Sequence, residues 1–170
     1  PKRIYMTGGS NGGMMTYVYS VSKARRLAAA APIVASMFTL ERIPEVPLPI
    51  LIINGKKDDE VPMEGGMSKN PLVSAAQSTP YRPVEEVVAF WTKVNRCPAE
   101  PKVTTSGTVT TRYYAPTEGG AAVQFMVDSE GGHGWPGSKS RRSGSTPIQS
   151  FKGAEVVWSF FKDKSVTSGR

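Results

Sequence analysis

The sequence predicts an α/β fold, in which a mostly parallel sheet is flanked by helices. Short apolar runs at residues 4–7, 50–53 and 123–127 have the composition of buried strands. Other stretches carry apolar residues at positions i, i+3, i+4 and i+7, which indicate amphipathic helices. Strands that alternate with helices form parallel sheets with right-handed crossovers. No repeat or linker interrupts the sequence, so we interpret residues 1–170 as one domain.

The first strand is followed by a helix and then by a second strand. The helical pattern starts at Met14, and Met14, Val18 and Val21 recur at a spacing that predicts a core-facing stripe. Met15 is likewise expected to fill the core. Residues 27–38 contain an alanine run and predict a second buried strand that leads into a loop.

The middle of the chain predicts a central strand, a long loop and a helix. The run at 50–53 is apolar throughout, as in a strand buried on both faces. Residues 64–82 are rich in Gly, Ser and Pro, and we expect a surface loop with little regular structure. A helix then starts at Pro83. Its predicted core-facing stripe consists of Val84, Val87, Val88 and Trp91.

The last third predicts paired strands, a further strand and a final helix. Residues 104–114 are β-branched and aromatic with a turn at Gly107, which indicates a hairpin. The apolar run at 123–127 is the last predicted strand. The final helix is predicted to pack on the sheet through Ala154, Val157, Trp158 and Phe161.

Composition narrows the class of protein. With 39% hydrophobic and 21% charged residues, the chain is typical of a soluble globular protein, and no apolar run approaches the roughly 20 residues that cross a bilayer. We therefore expect no membrane partner. The net charge of +7 is typical of proteins that bind nucleic acids. However, the densest basic group, Lys139, Arg141 and Arg142, lies in a Ser/Gly loop without interleaved aromatic residues. We therefore expect no nucleic-acid partner either.

Cysteine and histidine are each present once. Cys97 cannot form an internal disulfide or a cysteine metal cluster, and we predict no metal site. His133 is the one imidazole of the chain. Any general-base chemistry that uses imidazole therefore depends on His133.

A Gly-x-Ser-x-Gly motif stands between the first predicted strand and the first helix. In this setting the chain reverses sharply at Ser10, whose backbone is expected to be strained. Glycines at 8 and 12 are expected to remove Cβ atoms that would clash as strand and helix close on each other. The backbone N–H of Asn11, at the helix N-terminus, is expected to face a developing oxyanion.

Three residues of the chain could together form a serine nucleophile with its base and its acid. A serine hydroxyl attacks well when a histidine takes its proton and a carboxylate orients that histidine. Ser10, Asp58 and His133 each follow a predicted strand, in the chain order of the α/β-hydrolases. Asp59 and Asp128 compete for the role of the acid. We favour Asp58, because Asp128 lies on the same loop as His133 and Asp59 would point elsewhere.

Three segments carry a resemblance to a known family. They are residues 3–15, which read RIYMTGGSNGGMM, residues 53–62, which read INGKKDDEVP, and residues 130–137, which read EGGHGWPG. Together they resemble the esterase family of the polyhydroxybutyrate depolymerases and the feruloyl or acetylxylan esterases. The segments are spread over almost the whole chain.

The resemblance implies an α/β-hydrolase fold and the hydrolysis of carboxylic esters through an acyl-enzyme. It implies Ser10 as the nucleophile, Asp58 as the acid, His133 as the base and Trp135 as a substrate contact. It also implies no cofactor, a small or polymer-derived ester substrate of feruloyl, acetyl or hydroxyalkanoate type, and a secreted or extracellular location.

The resemblance further implies an N-terminally truncated form of this fold. The family carries several strands, and the loop that supplies the second oxyanion N–H, before its serine motif, whereas nine residues precede Ser10. The strand at 4–7 then becomes a sheet edge. We expect a piece of a longer chain, a partner or homodimer that completes the edge, or a truncated hydrolase of weak activity.

Two other functions stay open. The first is a non-catalytic or weakly active α/β-hydrolase remnant that binds or assembles through its open sheet edge. The second is a serine peptidase on the same fold.

Overall fold

The computed structural model describes residues 1–139 and 146–166, and these form an α/β arrangement with a six-stranded sheet. The strands are β1 (Tyr5–Gly9), β2 (Ala29–Ile33), β3 (Ile50–Gly55), β4 (Lys102–Ser106), β5 (Val109–Tyr114) and β6 (Val123–Asp128). The helices are α1 (Asn11–Lys23), α2 (Pro71–Ala76), α3 (Val84–Val94) and α4 (Gly153–Phe161), and a short 3-10 turn (Ala24–Arg26) follows α1. The predicted α/β class is confirmed, and no helix in the described ranges has the length and apolarity needed to cross a membrane.

The strand order is β1-β2-β3-β6-β5-β4. The first four strands in this order pair in parallel, and β5 and β4 continue the sheet as the predicted antiparallel hairpin. Parallel strands bring their carboxyl ends to one edge. The segments that follow β1, β3 and β6 therefore emerge at the same edge of the sheet. β1 is the outermost strand and is separated from β3 by β2.

Helices cover both faces of the sheet, which explains why β3 is apolar at every position up to Ile53. Alternate residues of a strand point to opposite faces. Ile52 therefore packs in the cluster that contains Tyr17 of α1 and Trp91 of α3. Ile53 packs in the second cluster, with Phe160 of α4.

The stripes predicted for α1 and α4 were confirmed in part, since Val21 of α1 and Val157 and Phe161 of α4 lie in the core. In α1, Met15 and Val18 are 59% and 54% exposed, whereas Thr16, Tyr17 and Ser20 are buried. Small polar side chains therefore share the inner face of α1 with the large Tyr17, which is 1% exposed. In α4, Trp158 is 56% exposed, and Phe160 lies in the core instead.

The region 64–82 contains more regular structure than predicted. Helix α2 starts with Pro71 at its first turn, and the side chain of Asn70 caps it by accepting a hydrogen bond from the Leu72 N–H at 3.0 Å. The stripe predicted for α3 is confirmed. All four of its residues, Val84, Val87, Val88 and Trp91, are at most 2% exposed.

Candidate active site

Ser10 occupies the sharp turn between β1 and α1. Its backbone has φ 55° and ψ −122°, which is the strained conformation expected from the motif. Two hydrogen bonds hold it, because the Ser10 N–H donates to the Ile33 carbonyl at 3.0 Å and the Ser10 carbonyl accepts from the Met14 N–H at 2.9 Å. Ser10 is thereby fixed to both β2 and α1.

The glycines around Ser10 act partly as expected. A Cβ atom on Gly8 would lie 2.5 Å from the carbonyl carbon of Gly12, so strand and helix cross too closely for a side chain at Gly8. The same expectation for Gly12 was wrong, because a Cβ on Gly12 would point into open space. The second close approach is at Gly13, where a Cβ would lie 2.6 Å from the Cβ of Ala35.

Asn11 is the first residue of α1. The first intrahelical donor is the Met14 N–H, so the N–H of Asn11 belongs to the group at a helix N-terminus that lacks helical partners. This end of a helix carries a partial positive charge. The backbone of Asn11 is therefore suited to bind an oxyanion beside Ser10.

Asp58 and His133 are in direct contact. They follow β3 and β6, which pair in parallel through Gly55 and Asp128. Nδ1 of His133 lies 2.9 Å from Oδ2 and 3.1 Å from Oδ1 of Asp58, and Asp58 is 2% exposed. A buried carboxylate at this distance fixes the tautomer and orientation of an imidazole.

Asp58 also organises the loop that carries it. Its Oδ1 accepts hydrogen bonds from the backbone N–H groups of Glu60 at 2.9 Å and Val61 at 2.8 Å. The same carboxylate therefore holds the imidazole and the next turn of the chain.

Asp128, one of the competing acids, is engaged elsewhere. Its carboxylate accepts hydrogen bonds from the Glu130 N–H at 2.9 Å and the Ser150 hydroxyl at 2.5 Å. Burial alone would raise the pKa of Asp128, but these hydrogen bonds outweigh burial and hold the pKa below its usual value. The backbone carbonyl of Asp59, the other competitor, accepts a hydrogen bond from the Lys69 backbone N–H at 2.8 Å. This bond does not involve the Asp59 carboxylate.

Glu60 was not among the site residues predicted from the sequence. Its Oε2 lies 3.5 Å from Nε2 of His133, and the two side chains are 11% and 12% exposed. The signal was present as the third acidic residue after β3, but an acidic run is more often a solvated loop. Only the turn fixed by Asp58 directs Glu60 inward.

Ser10 reaches the same cleft as His133 but does not bond to it directly. Among the described residues, no hydrogen bond joins the Ser10 hydroxyl to the imidazole. Both residues line a cleft of about 600 Å³. Hydrogen bonds of this kind are often long before substrate binds. Asp58 and His133 therefore form a contact pair, and Ser10 faces it across a shared cleft.

A second cleft, of about 950 Å³, also has Ser10 in its lining. Its lining includes Asn11, Glu60, Phe38 and Tyr81, and the two aromatic rings lie 5.2 Å apart. Burial, together with the nearby charges of Asp58 and Glu60, raises the pKa of Tyr81, so its phenol stays protonated at neutral pH. Ser10 thus lines two clefts.

Trp135 lines the smaller cleft with Ser10 and His133. Its ring lies against Gly9, where a Cβ would be 3.6 Å from Cε3, and also against Gly153, where a Cβ would be 2.9 Å from Nε1. Trp135 therefore supports the loop and presents a surface to the cleft. No group of three or more His, Cys, Asp or Glu side chains within residues 1–139 and 146–166 is arranged to hold a metal ion.

The sequence of this chain is similar to that of a protein named as an esterase. The chain is 33% identical over 141 residues to Feruloyl esterase B of Piromyces equi. The match covers 78% of this chain and 25% of that protein, so the chain spans about a quarter of the length of this curated relative. No protein-family model matches the chain.

Proposed function

We propose that this chain is a serine carboxylic-ester hydrolase with an α/β-hydrolase fold, acting through an acyl-enzyme. One observation carries the proposal: the buried Asp58 contacts Nδ1 of His133 at 2.9 Å, at the sheet edge where Ser10 stands on a strained strand-to-helix turn. The relationship to a protein named as a feruloyl esterase supports the same class of reaction.

In the proposed acylation step, Oγ of Ser10 attacks the ester carbonyl carbon while its proton passes to Nε2 of His133. Asp58 holds the Nδ1–H of the ring and stabilises the imidazolium that forms. The carbonyl oxygen gains negative charge, which the backbone N–H of Asn11 stabilises. The C–O bond to the alcohol then breaks, and His133 returns the proton to the leaving oxygen.

Deacylation repeats these roles with water. His133 removes a proton from a water molecule, whose oxygen attacks the acyl carbon of the Ser10 ester. When the tetrahedral intermediate breaks down, the proton returns to Oγ and the carboxylic acid is released. The overall reaction consumes one water and leaves Ser10 unchanged.

The proposed substrates are small or polymer-derived carboxylic esters of feruloyl, acetyl or hydroxyalkanoate type. Two open clefts meet at Ser10, as required if the acyl part and the alcohol part of an ester lie on opposite sides of the nucleophile. We propose Trp135 as a contact for one of these parts. An extracellular location belongs to the same proposal.

The proposal is tested at Ser10. We expect Ser10→Ala to lower the hydrolysis of p-nitrophenyl acetate by at least about 10³-fold. An organophosphate should label Ser10 in the wild type. Ser22→Ala is the matched control, because Ser22 lies on the exposed side of α1 and its hydroxyl bonds to the Val18 carbonyl. Full activity in the Ser10→Ala variant would refute the proposal.

A second candidate function is a non-catalytic or weakly active remnant that binds or assembles through the sheet edge. The observation that favours it is the edge position of β1 in the described sheet. A serine that resists organophosphate labelling, in a protein that dimerises as its concentration rises, would support this candidate over the esterase.

A further inference from the structure

Glu60 is the second carboxylate on the imidazole of His133. Asp58 faces Nδ1, and Oε2 of Glu60 lies 3.5 Å from Nε2, the nitrogen that takes the serine proton in the proposed mechanism. Glu60 also lines both clefts that meet at Ser10. Its position is built into the loop, because the Glu60 N–H donates to Oδ1 of Asp58 at 2.9 Å.

We propose that Glu60 is a positioning residue for His133, which favours the protonated ring and so sets the pH at which His133 becomes a base. The pairing itself stands on the geometry, and its consequence for turnover rests on the proposed esterase function.

The physical reason is the charge on each side of the ring. An ionised carboxylate within about 4 to 6 Å of an imidazole stabilises the imidazolium over the neutral ring. With Asp58 on one nitrogen and Glu60 on the other, His133 should lose its proton only at a higher pH. The low exposure of both side chains limits screening by water and salt.

Glu60 also affects the reaction step. When Ser10 attacks, the proton moves from Oγ to Nε2, and the positive charge that forms lies beside the Glu60 carboxylate. The carboxylate would stabilise that imidazolium, while it lowers the fraction of neutral His133 in the resting protein.

Other charged groups line the clefts that contain His133, and their charges also affect its protonation. The two clefts that His133 lines also contain Lys57, Asp59, Lys69, Glu130 and Lys139. Lys57 is paired with Glu130, and Lys69 with Glu64. These pairs are exposed, so their effect on the ring is weaker than that of Glu60.

The test uses the fact that His133 is the one histidine of the chain. In protein without a histidine tag, the imidazole gives one titrating NMR signal. We expect Glu60→Gln to lower the midpoint of this titration by about one pH unit. Glu64→Gln is the matched control, because it removes the same charge from a nearby exposed side chain paired with Lys69.

A Glu60→Gln midpoint that stays within about 0.3 pH units of the wild type, or that moves no further than the Glu64→Gln midpoint, would overturn the proposal. Glu60→Asp keeps the charge, and its midpoint should stay nearer to the wild type than that of Glu60→Gln. This second variant keeps the test decisive if glutamine disturbs the loop.

The kinetic readout separates this proposal from the proposed function. For p-nitrophenyl acetate, the acid limb of kcat/KM should move to lower pH by the same amount in Glu60→Gln, with roughly a threefold loss at the alkaline plateau. Absence of esterase activity in the wild type would defeat the proposed function. The NMR titration would still decide the pairing of Glu60 with His133.

Discussion

Asp58 has two structural roles that one substitution can separate. Its carboxylate contacts Nδ1 of His133 and also accepts the backbone N–H groups of Glu60 and Val61. An asparagine keeps an oxygen for the backbone donors, but it offers an amide N–H where the imidazole needs an acceptor. The effect on activity should therefore exceed the effect on the fold.

We expect Asp58→Asn to lower kcat by about 10³ to 10⁴-fold, because the imidazole is then held in the wrong tautomer. Asp128→Asn is the matched control, since Asp128 is equally buried but bonds to Ser150 and the backbone rather than to His133. Its kcat should stay within about tenfold of the wild type. Equal losses in the two variants, measured with p-nitrophenyl acetate, would contradict the assignment of Asp58.

The residues of the candidate site differ in how far the sequence could predict them. Ser10, Asp58 and His133 could be proposed from the sequence because each residue type has a known chemical use and each follows a predicted strand. Glu60 was missed, since its direction depends on the hydrogen bonds to Asp58 and on the neighbouring position of β6. Neither is encoded in a local pattern.

At the scale of the element, the turn between β1 and α1 depends on two close backbone approaches. Gly8 lies against the backbone of Gly12, and Gly13 lies against Ile33 and Ala35. These contacts place α1 close to the sheet and hold Ser10 at the carboxyl end of β1.

Gly8→Ala and Gly12→Ala form a matched pair within this turn. We expect Gly8→Ala to destabilise the fold by about 2 kcal/mol, because its Cβ would meet backbone at 2.5 Å. Gly12→Ala should stabilise it by about 0.5 kcal/mol, because the Cβ points to open space and alanine favours the helix. Urea unfolding measures both changes. A larger loss for Gly12→Ala than for Gly8→Ala would show that the crossing is elsewhere.

The helices show why one apolar face was predictable and another was not. In α3 the large residues Val88 and Trp91 fill a deep space under the sheet, so hydrophobic periodicity matched burial. In α1 the buried face contains the small polar residues Thr16 and Ser20 beside the large Tyr17. Hydrophobic periodicity locates apolar residues, so it cannot predict a buried face that includes polar ones.

At the scale of the whole molecule, the sheet has β1 at its edge. Part of this strand is anchored by the chain after α4, because the Tyr5 hydroxyl donates to the Lys164 carbonyl at 2.7 Å and the Val166 N–H donates to the Lys2 carbonyl at 2.8 Å. The remaining outer side of β1 presents backbone groups that can pair with another strand.

Thr7 tests whether this edge pairs with a second copy. The Ile4 carbonyl and the Ser10 N–H both bond to the β2 side, so the N–H of Thr7 points outward by alternation along the strand. If β1 pairs with a second copy, as the second candidate function requires, Thr7→Pro should abolish the dimer, because proline removes that donor. Sedimentation equilibrium at rising concentration measures the change.

Thr7→Val is the control for this experiment. It keeps the outward N–H while removing the hydroxyl, which donates to the Ala31 carbonyl at 2.6 Å. The valine variant should associate like the wild type. If wild type and both variants stay monomeric at every concentration, the edge does not pair with a second copy.

The sequence alone determined the α/β class, the hairpin, the buried face of α3 and the residue types of the candidate site, because these depend on local composition and on spacing along the chain. The tertiary structure decided that Asp58 rather than Asp59 or Asp128 contacts His133, that Glu60 reaches its other nitrogen, and which faces of α1 and α4 are buried. These features depend on strand order and on distances between segments far apart in the chain, which no local pattern specifies.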